Sequence, residues 1–158
     1  MATAITPPGT RQKAVRPARR PIGPVVRDLM TETVFTLAWH DSLETAAELM
    51  DVKHIRHVPV VDRDGDLVGL VTQRDLARSV LGPTEDLPIS VRQEVLSRRK
   101  VREIMATEID TAEPDTDLRE AAEMLIENKI GCLPIVEGAH LVGILTEADF
   151  VRRFLEKG

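Results

Sequence analysis

The strongest constraint on the fold is an internal duplication. Residues 26–81 and 101–155 carry one pattern twice, with matched positions 75 apart up to Val61/Val136 and 74 apart from Leu67/Leu141 onward. A single residue has therefore been lost in one turn. Identical pairs include Val26/Val101, Met30/Met105, Leu43/Leu118, Pro59/Pro134, Thr72/Thr146 and Asp75/Asp149. Two units of this size are too few and too long for a solenoid, whose shorter repeats need at least about three copies to bury a core. A pseudo-twofold pair of like units is the reading that remains.

Each copy predicts the same order of elements. An apolar-edged helical turn, Val26 to Met30 or Val101 to Met105, precedes a strand at Val34 to Leu37 or Ile109 to Ala112. An amphipathic helix follows, with Leu43, Ala46, Ala47 and Met50 mirrored by Leu118, Ala121, Ala122 and Leu125 at i, i+3, i+4, i+7. Asp41/Ser42 and Thr116/Asp117 supply its N-caps. Two β-branched runs, Val58 to Val61 and Leu67 to Val71 in the first copy, flank a hairpin turn at Asp62 to Asp66, or at Glu137 to His140 in the second. A last helix opens at Thr72 or Thr146. The order strand, helix, strand, strand, helix makes this an α/β (α+β) chain in which each unit leaves sheet surface for another layer to cover. Between the copies, Ser90 to Gln93 has capping-box spacing and predicts a short accessory helix. The domain reading is a tail over 1–23, a first motif over 24–81, a linker over 82–100 and a second motif over 101–158.

The tail is set apart by charge. Residues 1–25 hold Arg11, Lys13, Arg16, Arg19 and Arg20 with no acid, so a net charge of −5 for the chain leaves −10 on the remainder. With Pro7, Pro8, Pro17, Pro21 and Pro24 and no apolar periodicity, it reads as disordered or extended. Such an arm either touches nucleic acid, an anionic surface or an acidic partner, or is simply solvated. No apolar run reaches the roughly 18–20 residues that span a bilayer, and the single cysteine, Cys132, leaves no internal disulfide. The expected setting is cytoplasmic, without membrane insertion.

Chemistry concentrates in two places. Gly69 to Asp75 and Gly143 to Asp149 both run Gly-x-x-Thr-x-x-Asp from a strand into a helix. Thr-x-x-Asp is by itself a capping box. It also suits a ligand facing the helix start, the N–H groups bonding an anion, the threonine a phosphate or ribose oxygen, and the aspartate a ribose diol. Both roles can coexist. The glycine would let a backbone or a ring approach the strand closely. The second place is Lys53-His54-Ile55-Arg56-His57 before Val58-Pro59, either a phosphate grip or an exposed helix exit whose cations suit the dipole; its counterpart keeps only Lys129. Metal, nucleophile-elbow and P-loop signatures are missing, so an enzyme is not expected.

These words together resemble a tandem pair of cystathionine-β-synthase (CBS) motifs: the Asp28 to Thr31 and Glu103 to Ala106 openings, the Leu-x-x-Ala-Ala helices, the apolar-Pro-apolar strands and the two Gly-x-x-Thr-x-x-Asp runs. The resemblance implies two βαββα motifs in a pseudo-twofold, disc-like homodimer that binds AMP, ADP or ATP, or else S-adenosylmethionine or NAD. Its role would be regulatory, an energy sensor acting on a separate protein partner. One implied site joins Thr72 and Asp75 to Ile109, Thr111, Lys129, Ile130, Leu133 and Pro134. The other joins Thr146 and Asp149 to Val34, Thr36, His54, Ile55, Arg56, His57, Val58 and Pro59. The rival reading is a dimerisation scaffold with empty clefts whose basic arm contacts nucleic acid or an acidic partner.

Overall fold

The computed structural model describes residues 9–15, 21–81 and 87–157. Arg16, Arg19, Arg20 and the prolines Pro7, Pro8, Pro17 and Pro83 lie outside them. The strands are β1 (Arg11–Val15), β2 (Leu37–Ala38), β3 (His57–Val61), β4 (Leu67–Thr72), β5 (Glu108–Ala112), β6 (Cys132–Glu137) and β7 (His140–Thr146). The helices are α1 (Leu43–Lys53), α2 (Gln73–Leu81), α3 (Ile89–Arg98), α4 (Leu118–Glu127) and α5 (Glu147–Lys157). Short 3-10 turns at Val26–Asp28 and Val101–Glu103 open the repeats.

Two compact units result, and they cut across the repeats. The first comprises Met1–Arg11 and Phe35–Glu108, the second Gln12–Val34 and Ile109–Gly158. The opening turn of each repeat thus belongs to the unit built from the body of the other.

In the first unit the sheet order is β2-β3-β4. β2 is parallel to β3, as a strand returning through a helix must be, and β3 and β4 form an antiparallel hairpin with a bulge between Val60 and Val61. Asp62 closes the hairpin by accepting from the Asp64 and Asp66 N–H groups through Oδ1, and Gly65 supplies the positive φ of 82°. Leu37, Leu43, Met50, Val58, Val60 and Val71 form the core, which Val101 and Met105 of the second opening turn complete. Full burial of Leu43 is worth about 1.5–3 kcal/mol. The turn is anchored by Val101 N–H to Asp41 O (2.8 Å) and by a reciprocal pair between Leu70 and Ala106 (3.0 and 2.9 Å). Trp39 packs against this core with the Arg102 guanidinium 5.5 Å from its ring centre, and α3 lies on α1 and α2.

The second unit repeats the scheme with β1-β5-β6-β7. Val26 joins Leu125, Leu133, Ile135 and Leu145 in its core. Thr31 and Ile144 exchange N–H to O bonds of 2.9 and 3.0 Å, as Ala106 and Leu70 do in the first unit.

Three sequence expectations are corrected. The first-copy strand is Leu37–Ala38, not Val34 to Leu37. The accessory helix begins at Ile89 after Pro88 with no side-chain cap, so Ser90 lies inside its first turn. Thr116 does not cap α4; its hydroxyl accepts from Glu113 N–H (3.0 Å) in the preceding turn, and Asp117 is the cap. Of the two readings of the tail, disordered or extended, Arg11–Val15 follow the extended one, as a strand on an edge of β5.

Candidate functional site

The two Thr-x-x-Asp runs sit where the hairpin strand feeds the last helix of each unit. Thr72 N–H and Oγ1 both donate to Asp75 Oδ2 at 2.8 Å, and Asp75 N–H donates back to Thr72 Oγ1 at 3.2 Å. The capping box is therefore formed. It uses one carboxylate oxygen and holds the aspartate rigidly at the helix start. Thr146 N–H and Oγ1 likewise donate to Asp149 Oδ2, at 2.8 and 3.1 Å, but Arg152 Nη2 also donates to Oδ1 at 3.3 Å. Asp149 is 6% exposed, whereas Asp75 is only partly buried.

In the first unit the strand register brings the basic lead beside this junction. His57 stands opposite Thr72, and Gln73 N–H donates to Arg56 O at 2.8 Å. Arg56 is exposed and His57 half-buried, while Val58 and Pro59 are buried in β3. His54 leaves α1 in the left-handed region (φ 53°) and Ile55 packs into the core. The Lys53 ammonium lies 4.7 Å from the centre of the Phe35 ring. Thr36 is exposed.

The second unit keeps the geometry and changes the chemistry. Cys132 takes the place of His57 opposite Thr146, Gly131 that of Arg56, and Lys129 repeats the left-handed exit of His54 at φ 52°. Burial pushes the Cys132 thiol up to about 12, so it is neutral and unreactive beside the junction. Ile130, Leu133 and Pro134 follow the same course as their first-copy counterparts, and Leu133 is wholly buried. On β5, Ile109 is buried and Thr111 is 0% exposed, with no hydrogen-bond partner for its hydroxyl among the described residues. Val34, placed in this unit, is half-buried.

Sequence reasoning did not find Arg152 on Asp149, the left-handed exits or the strand beside β5. The first had a signal: Arg78 and Arg152 occupy matched positions three residues beyond each aspartate. Gly69 and Gly143, read as room for a backbone or a ring, face the Met105 and Met30 side chains, and at Gly143 a backbone does come close, Thr31 O. Among the described residues no cluster of His, Cys, Asp and Glu is arranged to hold a metal, and no helix is long and apolar enough to cross a membrane.

Comparison with known proteins agrees with this architecture. The family model described as CBS domain matches residues 26–82 and 101–156. Similar solved structures include CBSX2 in complex with AMP (29% identity, TM-score 0.71, covering 85% of this chain and 98% of that one). Another is the CBS domain pair of protein MJ0100 with 5′-methylthioadenosine and S-adenosyl-L-methionine (27%, TM-score 0.69, 85% and 98%). A homoserine O-acetyltransferase of Methanohalobium evestigatum is 32% identical over 80% of this chain, which spans only 23% of that relative's length.

Proposed function

The chain belongs to the CBS-domain family, with one domain in each repeat, and on that footing we propose that it is a regulatory module sensing an adenosine ligand. AMP, ADP or ATP is the preferred class, with S-adenosylmethionine and NAD as further candidates. The observation that carries the reading is the pair of preorganised Thr-x-x-Asp junctions, Thr72/Asp75 and Thr146/Asp149. Each fixes a carboxylate at a helix N-terminus, where a ribose diol can donate to it and the helix N–H groups suit a phosphate. Arg56, His54 and His57 near the first junction suit the phosphate end, and Thr111, Ile109, Ile130 and Leu133 are proposed to line the second unit's contribution, with Lys129 as its cation. AMP in CBSX2 and S-adenosyl-L-methionine in the MJ0100 pair support the ligand class. The ligand acts by its difference in affinity between two states of the module, which a partner protein reads.

The module is proposed to bind rather than catalyse; the acetyltransferase name belongs to relatives of which this chain covers a quarter or less. A homodimer is proposed as its working form, supported by Val151, Phe154 and Leu155, which expose an apolar stripe at i, i+3, i+4 on α5.

Calorimetric titration with AMP, ADP, ATP, NAD and S-adenosylmethionine tests the reading, alongside Asp75→Ala and Asp149→Ala. A charge-assisted bond to ribose is worth roughly 1.5–3 kcal/mol, so loss of an aspartate should weaken binding about ten- to a hundredfold. Silence from all five ligands sinks it. One observation favours the scaffold reading at the second junction: Asp149 already has both oxygens engaged inside the chain.

A further inference from the structure

The two Thr-x-x-Asp junctions leave their carboxylates with different capacity to accept a further bond. An ionised carboxylate offers about four lone-pair positions, shared equally by its oxygens. At Asp75, Oδ2 is filled by the Thr72 N–H and Oγ1, and Oδ1 has no partner among the described residues. At Asp149, Oδ2 is filled in the same way by Thr146, but Oδ1 also accepts from Arg152 Nη2 at 3.3 Å. Both positions on Oδ1 are therefore open at the first junction and only a single one at the second.

The difference arises from matched residues. Arg78 and Arg152 both stand three residues beyond their aspartates. Arg78 is exposed and makes no hydrogen bond or ion pair among the described contacts, whereas Arg152 turns back along α5, Nε donating to Ala148 O at 3.4 Å while Nη2 reaches Asp149. The pair is lopsided, since the Asp149 side chain is 6% exposed and that of Arg152 68%. The capping box fixes the carboxylate; the guanidinium stands in solvent. An ion pair with so exposed a member contributes little, so Arg152 leaves Asp149 at small cost. Gly131 and Cys132 replace Arg56 and His57 in this unit, which makes Arg152 the guanidinium bonded at its junction. A guanidinium bonds phosphate as well as it bonds carboxylate.

We propose that Arg152 is a specificity-determining residue of the second junction, a latch on Asp149 that opens for a phosphorylated ligand and holds against a neutral one. This rests on the adenosine-ligand reading above. A ribose diol has a pair of hydroxyls to donate and needs a pair of acceptor positions. Asp75 Oδ1 can take both as it stands, and Asp149 can take both only once Arg152 has let go. A nucleotide brings phosphate oxygens for the released guanidinium, whereas a nucleoside leaves it to water. The second junction thus reads ribose and phosphate together, and the first reads ribose without that condition.

The test isolates the second junction with Asp75→Ala and adds Arg152→Gln or Arg152→Lys to that background. AMP and adenosine, which differ by the phosphate alone, are titrated by calorimetry. Arg152→Gln is expected to raise the AMP Kd about tenfold and to lower the adenosine Kd about two- to threefold, because both ligands escape the latch and only AMP loses a contact. Arg152→Lys, which keeps the charge, should hold the AMP Kd within about threefold. In the mirror background Asp149→Ala, Arg78→Gln should bring no gain for adenosine. A purely structural loss moves both ligands alike, so equal shifts for AMP and adenosine overturn the latch. An adenosine Kd that rises or stays put in Arg152→Gln overturns it too, as does AMP binding to the full chain but not to Asp75→Ala. Failure of AMP and adenosine to bind even the full chain instead sinks the ligand reading, and the latch with it.

Discussion

Met105 lies against Gly69 so closely that a methyl group on the glycine would overlap its sulfur. The methionine comes from the opening turn of the second repeat and the glycine from the hairpin of the first, yet both belong to one compact unit. Met30 and Gly143 repeat the relationship, a built Cβ meeting the sulfur at 2.7 Å and Thr31 O at 3.2 Å. Overpacking of this kind costs about 1–3 kcal/mol. Gly69→Ala is expected to lower stability within that range in urea denaturation, with Met105→Ala relieving part of the loss. Gly143→Ala should cost more, because backbone yields less readily than a thioether. Additive behaviour of Gly69→Ala and Met105→Ala would show that the contact is not the cause.

Thr111 offers opposite signs for stability and binding. Its buried hydroxyl has no partner among the described residues, and replacing it by a methyl group, Thr111→Val, is expected to stabilise the free protein by about 1 kcal/mol and raise Tm by a few degrees. The same change should weaken the adenosine ligand. A lower Tm in the variant would mean that the hydroxyl has a partner in the free protein.

Cys132 makes the protein sensitive to alkali. Its thiol is pushed up to about 12 in the folded state from an ordinary 9.0, so the unfolded chain loses that proton first. Fewer protons on the unfolded state mean that stability falls as pH rises from about 9 toward 12, and is unaffected by this group below 9. Cys132→Ala is expected to remove that part of the alkaline loss in pH-dependent denaturation. In the native protein at pH 8, iodoacetamide should label the thiol only as fast as the chain unfolds.

His54 and Lys129 both leave a helix with positive φ, a conformation costing non-glycine residues about 1–2 kcal/mol. Lys129→Gly removes that strain and forfeits about 0.3–1 kcal/mol of cation–dipole attraction, so a small net stabilisation is expected. If Lys129 grips a phosphate, AMP binding weakens at the same time. Stabilisation with unchanged AMP binding would assign Lys129 to the helix exit alone.

The apolar stripe on α5 gives the proposed dimer a direct test. Phe154 is 78% exposed, so a charge there disturbs little within the chain. Phe154→Glu is expected to leave the circular dichroism spectrum intact and yield a monomer by light scattering. A monomeric parent protein would remove the premise.

Much of the site was legible in sequence because capping is local. Thr72 and Asp75 lie three residues apart, and a helix start forces them together. The strand pairing that sets His57 beside Thr72 follows in the same way from a hairpin with a short turn. The spacing that signals Arg152 on Asp149 recurs at Arg78 and Asp75, where no such bond is found among the described contacts, so the pattern alone does not decide the outcome.

The amino-acid sequence by itself determined the duplicated α/β plan, its helices and hairpins and the two junctions, because these follow from periodicity, turn chemistry and capping within a few residues. Only the tertiary structure decided which opening turn completes which core, that Arg11–Val15 become a strand, and that Thr111 is sealed while Thr36 is open. Those outcomes depend on partners distant in the chain, where two nearly identical repeats offer nearly identical surfaces. Long-range packing alone distinguishes between them.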